Sequence, residues 1–209
     1  GKDGPADLII SEQLRAQHRG LEQAIRNTQE AFNVLGIAEG AMVEMNDILI
    51  NDNTVRSTDD FGIYVNYFES FGYEPVGSSS FVMNNIEICR NDVNSNLHGI
   101  YLEYFEYFGV YGSGTTSFTM QDILVCNNTI VSNDTGLYIY EIYDFGYDLN
   151  DNATAFFGSM HMDGNDITAG EKGILFSKIE YLGESNEQDS IFGFGNITMN
   201  DNIINAGTD

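Results

Sequence analysis

The chain has 209 residues, 42% of them apolar, with 14 Phe and 12 Tyr, so it carries the material of a folded core and is not a disordered tail. Its 32 acidic against 8 basic residues give a net charge of −24, which repels nucleic acid and anionic membranes and excludes both as partners. No apolar run approaches the ~20 residues of a membrane-spanning helix, and so acidic a surface attracts divalent cations, basic partners or a high-salt medium, or serves only to keep the chain soluble.

The chain opens at Gly1-Lys2-Asp3 without an initiator Met or a signal peptide, and reads as a processed or excised fragment. From Pro5 to Leu35 the positions Ile10, Leu14, Gln17, Leu21, Ala24, Thr28, Ala31 and Leu35 recur at steps of three and four, widened by Ile25 and Phe32. That spacing predicts an amphipathic α-helix. Asp3 or Gly4 can cap it, Pro5 suits its first position and Gly36 can end it.

Several short runs here resemble the N-terminal helical segment of bacterial flagellin. They are Lys2-Asp3-Gly4-Pro5-Ala6-Asp7-Leu8, Ile10-Ser11 with Leu14 and Gln17, Arg19-Gly20-Leu21, and Ala38-Glu39-Gly40-Ala41-Met42. The resemblance implies a helix that packs in a coiled bundle inside a filament subunit exported from the cell. His18 departs from it, standing at a place that is usually aliphatic, and the helices that precede and return in that family have no counterpart in this sequence. Three arrangements stay open: a filament protein with a β-solenoid outer domain, an excised or engineered fusion, or a solenoid whose helix covers its open end. Glu44 to Leu49 can be read as a continuation of that segment or as a first β-strand.

From residue 43 the pattern changes. Gly62-Ile63, Gly99-Ile100, Gly136-Leu137 and Gly173-Ile174 recur every 37 residues. Ile86-x-Ile88, Ile123-x-Val125, Met160-x-Met162 and Ile197-x-Met199 keep the same spacing, preceded by Ile48-x-Ile50. Each is followed by an Asn, namely Asn53, Asn91, Asn128, Asn165 and Asn202, and two residues later by Val or Ile. Apolar residues alternate with a period of two, as in short strands. Asn tolerates the left-handed geometry of a turn, and five of them at one place predict a ladder of stacked amides. The Gly before Ile is expected to supply the other corner.

These motifs resemble the repeat of right-handed parallel β-helices. They predict a mainly β fold, a solenoid of 37-residue coils about 4.8 Å apart and ~20–25 Å tall, with an N-terminal α-helix. Residues 1–42 form the helical cap or assembly element and 43–209 the solenoid. The coil is longer than usual in that family, so each is expected to carry an excursion, best placed in the stretch from Tyr101 to Phe118. A propeller of four-stranded blades is the rival architecture. The sequence stops where a fifth Gly-Ile would fall, which reads as truncation at a repeat boundary.

Chemistry is sparse. His18, His98 and His161 show no metal-ligand spacing, and no phosphate loop, nucleophile elbow or zinc-type Cys pattern occurs. Cys89 and Cys126, 37 apart, stack in adjacent coils; alternation turns both outward, and either a cross-rung disulfide or two free thiols fits. Glu69 and Glu106 share a column whose next member is Tyr143, and Asn85, Asp122, Ser159 and Asn196 form another. Neither gives the acid cluster with a placed base that polysaccharide lyases or hydrolases need, so no catalytic residue is assigned. Four glycosylation sequons, at Asn127, Asn133, Asn152 and Asn196, would suit a surface protein.

The aromatic rows are the better lead. Tyr67, Tyr104, Tyr101, Tyr138, Tyr73 and Tyr147, with Phe68 and Phe105, run along one side and could stack on sugars or a neighbouring subunit, or on one another as core. The reading that results is a non-enzymatic extracellular or cell-surface structural protein, self-associating into a homopolymer such as a filament or surface layer. The alternatives are an adhesin-like carbohydrate-binding module and a polysaccharide-cleaving enzyme. No cofactor is called for, calcium being the one cation the acidic surface could take.

Overall fold

A computed structural model describes residues 44–45, 47–75, 77–187 and 189–207. The predicted helix, its caps and His18 lie outside these residues. Every described strand is parallel to its partners, and each lies beside its own equivalent 37 residues along the chain, or 38 in part of the first coil. The result is a β-solenoid of about four turns with four walls. The first wall stacks Glu44–Met45, Ser80–Met83, Ser117–Met120, Thr154–Phe157 and Ile191–Phe194. The second stacks Ile48–Asn51, Ile86–Cys89, Ile123–Cys126, Met160–His161 and Ile197–Thr198. The third stacks Thr54–Arg56, Asp92–Ser95, Thr129–Ser132, Asp166–Ala169 and Ile203–Ala206. The fourth stacks Ile63–Val65 and Phe68–Glu69 on Ile100–Phe108, Thr135–Phe145 and Lys172–Leu182.

Alternation makes the second and third walls. Ile86, Ile88, Val93, Ile123, Val125, Ile130 and Ile167 are wholly or almost wholly buried, while Glu87, Asp92, Asn94, Thr129 and Asp166 between them are not. Each such aliphatic side chain contributes about 1.5–3 kcal/mol by leaving water. The central stack continues through Met83, Leu102, Phe105, Ile139, Ile142 and Phe157 into one continuous core.

The corner between the second and third walls repeats one backbone conformation. Asp52, Arg90, Asn127, Gly164 and Asp201 all have positive φ, between 53° and 68°. Four of the five are Asp, Asn or Gly, the residues that bear that geometry at least cost. Arg90 is the exception, and its guanidinium is held by Asp52 at 2.9 and 3.0 Å.

Immediately after this corner the five asparagines line up. The Asn128 side-chain NH2 donates to Asn165 Oδ1 at 3.0 Å and to the Ile88 carbonyl of the preceding coil at 2.8 Å. Its own Oδ1 accepts the backbone N–H of Asn91 at 2.9 Å and the Asn91 amide at 3.0 Å. Asn53, Asn165 and Asn202 extend the same pattern. Asn91, Asn128 and Asn165 are at most 2% exposed, so these bonds are what makes their burial tolerable.

Three features depart from the sequence reading. The Gly before Ile does not make a corner by its backbone freedom. A Cβ on Gly136 would stand 2.2 Å from Ile167 Cγ2 of the next coil, so the position is Gly because strands approach too closely for anything larger. Among the described residues the long coil carries no protruding excursion: the segment after the fourth-wall strand stacks in register too, through Gly109 N–H to Phe71 O, Tyr111 N–H to Tyr147 O and Thr115 N–H to Gly77 O at 2.8–3.0 Å. It wraps a small second core of Phe118, Leu149, Ala153 and Ala155. Finally, Cys89 does not face solvent.

Cys89 is fully buried and joined to the half-buried Cys126 in a disulfide that ties the second coil to the third, with Cα atoms 4.6 Å apart. Alternation fails here because the chain turns at once into the positive-φ corner, and Asn51 of the first coil lies over the pair, its Oδ1 accepting the Cys89 N–H at 2.8 Å.

Two outcomes are expected. Asn128→Ala removes one rung of the ladder and leaves two donors of Asn91 without their acceptor, so urea unfolding should show a loss of about 2–4 kcal/mol. Reducing the disulfide frees a loop of 37 residues, which by chain entropy should lower stability by about 4 kcal/mol, and thiol labelling of the unreduced, denatured chain should find no free thiol.

Candidate functional site

The fourth wall does not keep a period of two. Its inward residues fall every third position: Val65, Phe68 and Phe71 in the first coil, Leu102, Phe105 and Phe108 in the second, and Ile139, Ile142 and Phe145 in the third. Two residues therefore face outward between successive core contacts. At several of these doublets the second outward residue is left-handed, with φ of 56° at Tyr67, 57° at Tyr107, 51° at Asp144 and 52° at Tyr181, whereas Tyr104 and Glu141 are not. Neighbouring coils carry the same number of residues here, so the 37-residue register is kept through each doublet.

The outward doublets are filled by tyrosines and acids. Glu103-Tyr104 and Glu106-Tyr107 belong to one coil, Tyr140-Glu141 and Tyr143-Asp144 to the next. All 12 tyrosines of the chain lie on this wall or in the turn that leaves it. The other two five-stranded outer faces next to it, built from Asp92, Thr129 and Asp166 on one side and Ser80, Ser117 and Thr154 on the other, carry no tyrosine.

The six tyrosines singled out from the sequence fall into three columns. Tyr101 and Tyr138 stack with Tyr64, ring centroids 5.2 and 4.9 Å apart and planes within 13°. Tyr101 is only 7% exposed, so it is part of the packing and not of a binding surface as its sequence position suggested. Tyr67 and Tyr104 stack at 5.1 Å, and Tyr67 is 63% exposed. Tyr73 and Tyr147 flank Tyr111 edge-on at 5.6 and 6.0 Å in the turn. The first two columns thus turn ring faces against rings of the same chain, while the turn rings meet edge to face and Tyr67 and Tyr73 stay exposed.

Carboxylates sit among these rings. Glu103 accepts the hydroxyls of Tyr64 and, at 3.0 Å, of Tyr101. Desolvation and this carboxylate push the Tyr64 phenol up to about 12 and raise that of Tyr101 further. Lys178 pairs with Glu141, lies 3.6 Å from Glu180 and places its ammonium 4.1 Å from the centre of the Tyr143 ring. Its hydrogen bond to Glu141 is the main cause that pushes the Lys178 ammonium up to about 12. Glu69 and Glu106 stack in register and have no ion-pair partner among the described residues. Burial, then Glu141 and Glu69, push the Glu106 carboxyl above its ordinary range. Asp144 is raised as well, by burial first and against the pull of Lys178.

Two features of this kind escaped the sequence. The Glu141–Lys178–Tyr143 grouping needs the 37-residue offset combined with the period of three. The varied column Asp47, Asn85, Asp122, Ser159, Asn196 proves to be a second ladder, each side-chain oxygen of the first four accepting the backbone N–H of the next at 2.6–3.1 Å. Asp, Asn and Ser all supply such an acceptor, which a search for identical residues overlooks. His98, whose imidazole burial pushes down, stacks on Phe61 at 5.4 Å; His161 meets Thr198 at 2.9 Å on another wall. Among the described residues no three His, Cys, Asp or Glu gather as a metal site.

Comparison with known proteins bears on the other end of the chain. Residues 1–60 match the bacterial flagellin N-terminal helical region. Similar curated proteins include a flagellin of Halalkalibacterium halodurans, 41% identical over 63 residues, covering 29% of this chain and 23% of the relative. A flagellin of Bacillus subtilis is 47% identical over 47 residues, 22% of this chain and 16% of the relative. A flagellar filament 31.3 kDa core protein of Treponema maltophilum is 39% identical over 64 residues, 30% of this chain and 22% of the relative. The chain thus spans less than a quarter of the length of these relatives. No solved structure matches it. The matched stretch runs into the solenoid, since Ile48–Asn51 and Thr54–Arg56 are strands of its first coil.

A carboxyl raised in the folded state destabilises that state when ionised, and the cost is relieved as pH falls toward and through its folded value. Glu106→Gln should therefore raise the unfolding midpoint at pH 7. It should also flatten the slope of stability against pH above 4.5, the ordinary glutamate value; a midpoint lowered at pH 7 would contradict this account.

Proposed function

We propose that this chain is a structural subunit of an extracellular filament, with residues 1–42 as a helical assembly element and 43–209 as a right-handed β-solenoid body carried at the cell surface. The observation that supports this most is the match of residues 1–60 to the flagellin N-terminal helical region, together with relatives named as flagellins and as a filament core protein. In this reading the amphipathic stripe of Ile10, Leu14, Leu21, Ala24 and Leu35 packs helices of neighbouring copies, a homopolymer held by apolar contact. The solenoid adds a rigid, strongly acidic outer surface.

The role is non-catalytic. Glu69 and Glu106 resemble a paired-acid site only in their stacking, and the wall's Lys178 is already engaged by Glu141 and Tyr143. An adhesin-like module that binds carbohydrate is the second reading, supported by the exposure of Tyr67 and Tyr73.

Negative-stain electron microscopy at rising protein concentration, with and without millimolar calcium, tests the first reading. Ordered filaments or sheets are expected from the unaltered chain and none from a Leu14→Glu, Leu21→Glu variant. Dispersed monomers from the unaltered chain in every condition would sink it.

A further inference from the structure

We propose that the outward face of the fourth wall docks a polypeptide segment rich in lysine or arginine, a role that stands whether or not the chain polymerises. Among the described residues nothing packs on this sheet of tyrosines, and its charge is strong and of one sign. Glu69, Glu103, Glu106, Glu141, Asp144 and Glu180 project from it, against Lys172 and Lys178.

The wall already shows how it holds one cation. The Lys178 ammonium sits between Glu141 and Glu180 and over the face of Tyr143. Moving one coil up replaces these groups with like chemistry but brings no base. Glu106 stands where Tyr143 stood, beside Glu69 in the same column, with Tyr104 and Tyr107 on either side in sequence. Two carboxylates stacked at strand spacing repel, which is part of why the Glu106 carboxyl is hard to ionise. An ammonium or guanidinium placed between them removes that repulsion and gains the ring faces beside it. Successive outward doublets repeat the frame along and across the strands, so the surface suits several cationic side chains on one extended segment better than a single small ion.

Sugar binding makes a different demand. A pyranose stacks on an open ring face, and the parallel rings of Tyr64, Tyr101 and Tyr138 cover one another's faces at about 5 Å. What the wall offers outward is carboxylate oxygen, phenol hydroxyl and single ring faces such as that of Tyr143 under Lys178, a set complementary to cations.

The test uses the full chain with fluorescently labelled decalysine, read by anisotropy, and cellohexaose, read by calorimetry. Two paired variants separate the wall from bulk charge: Glu69→Gln with Glu106→Gln, and, as a control of equal charge change, Asp59→Asn with Asp166→Asn, both exposed and off this face. Decalysine should bind in a salt-sensitive manner, with its dissociation constant raised about fivefold or more by the wall pair and less than about twofold by the control pair. Tyr107→Leu should also weaken it, which a purely coulombic surface would not show. Equal losses from both pairs would overturn the proposal in favour of net charge alone. Binding of cellohexaose without decalysine would overturn it in favour of a glycan surface. Melting curves of each variant check that the fold is kept, and Glu106→Gln, which relieves repulsion, should not lower them.

Discussion

In a solenoid every residue sits directly on its own counterpart, one strand spacing away, and a side chain survives in the interior only if it can live beside a copy of itself. For Ile, Leu and Phe the condition is easily met. For a buried amide it is severe, because an unpaired donor or acceptor costs about 1–3 kcal/mol. Asn meets it because its side chain carries both a donor and an acceptor, so each copy satisfies the next: Asn91 gives to Asn128, Asn128 to Asn165, Asn165 to Asn202. A carboxylate in that column would repel its neighbours, and a serine could not reach both the adjacent side chain and the carbonyl behind it. The corner, the register of the walls and the direction of every inward side chain follow from holding this one column in place.

The same condition read in reverse explains the fourth wall. Glu69 on Glu106 is a repetition that does not satisfy itself. In the interior such a pair would be eliminated. Outside, water and neighbouring tyrosines make it tolerable, and the next coils break the run with Tyr143 before Glu180. Glu141 under Lys178 shows the alternative solution, in which the column changes sign from one coil to the next.

Much of this was legible in the sequence because a 37-residue period announces itself in the positions of Gly99, Gly136 and Gly173 and of the five asparagines. The parallel stack and the core faces of the second and third walls follow from that period and from alternation. What alternation could not reveal is where it stops. In Ile100–Phe108 the sequence Leu-Glu-Tyr-Phe-Glu-Tyr-Phe already contains a period of three, but a strand keeps that period only with a local change of backbone, and left-handed geometry at Tyr107 is not something tyrosine advertises. Cys89 failed for a related reason: it is the last residue before a corner, where the strand rule no longer applies. The Asp47–Ser159 ladder was hidden because its members share a hydrogen-bonding capacity and not an identity.

The disulfide between Cys89 and Cys126 has a mechanical meaning beyond its place in the core. The backbone hydrogen bonds between coils run along the solenoid axis, so tension along that axis loads the junctions between rungs in series, like links of a chain. Such an array parts at its weakest link. A covalent tie across the junction of the second and third coils takes that link out of contention and leaves a pair of rungs that stay together while the outer ones peel. A body so pinned keeps a template of two stacked coils under load, on which the others can re-form once the tension is released.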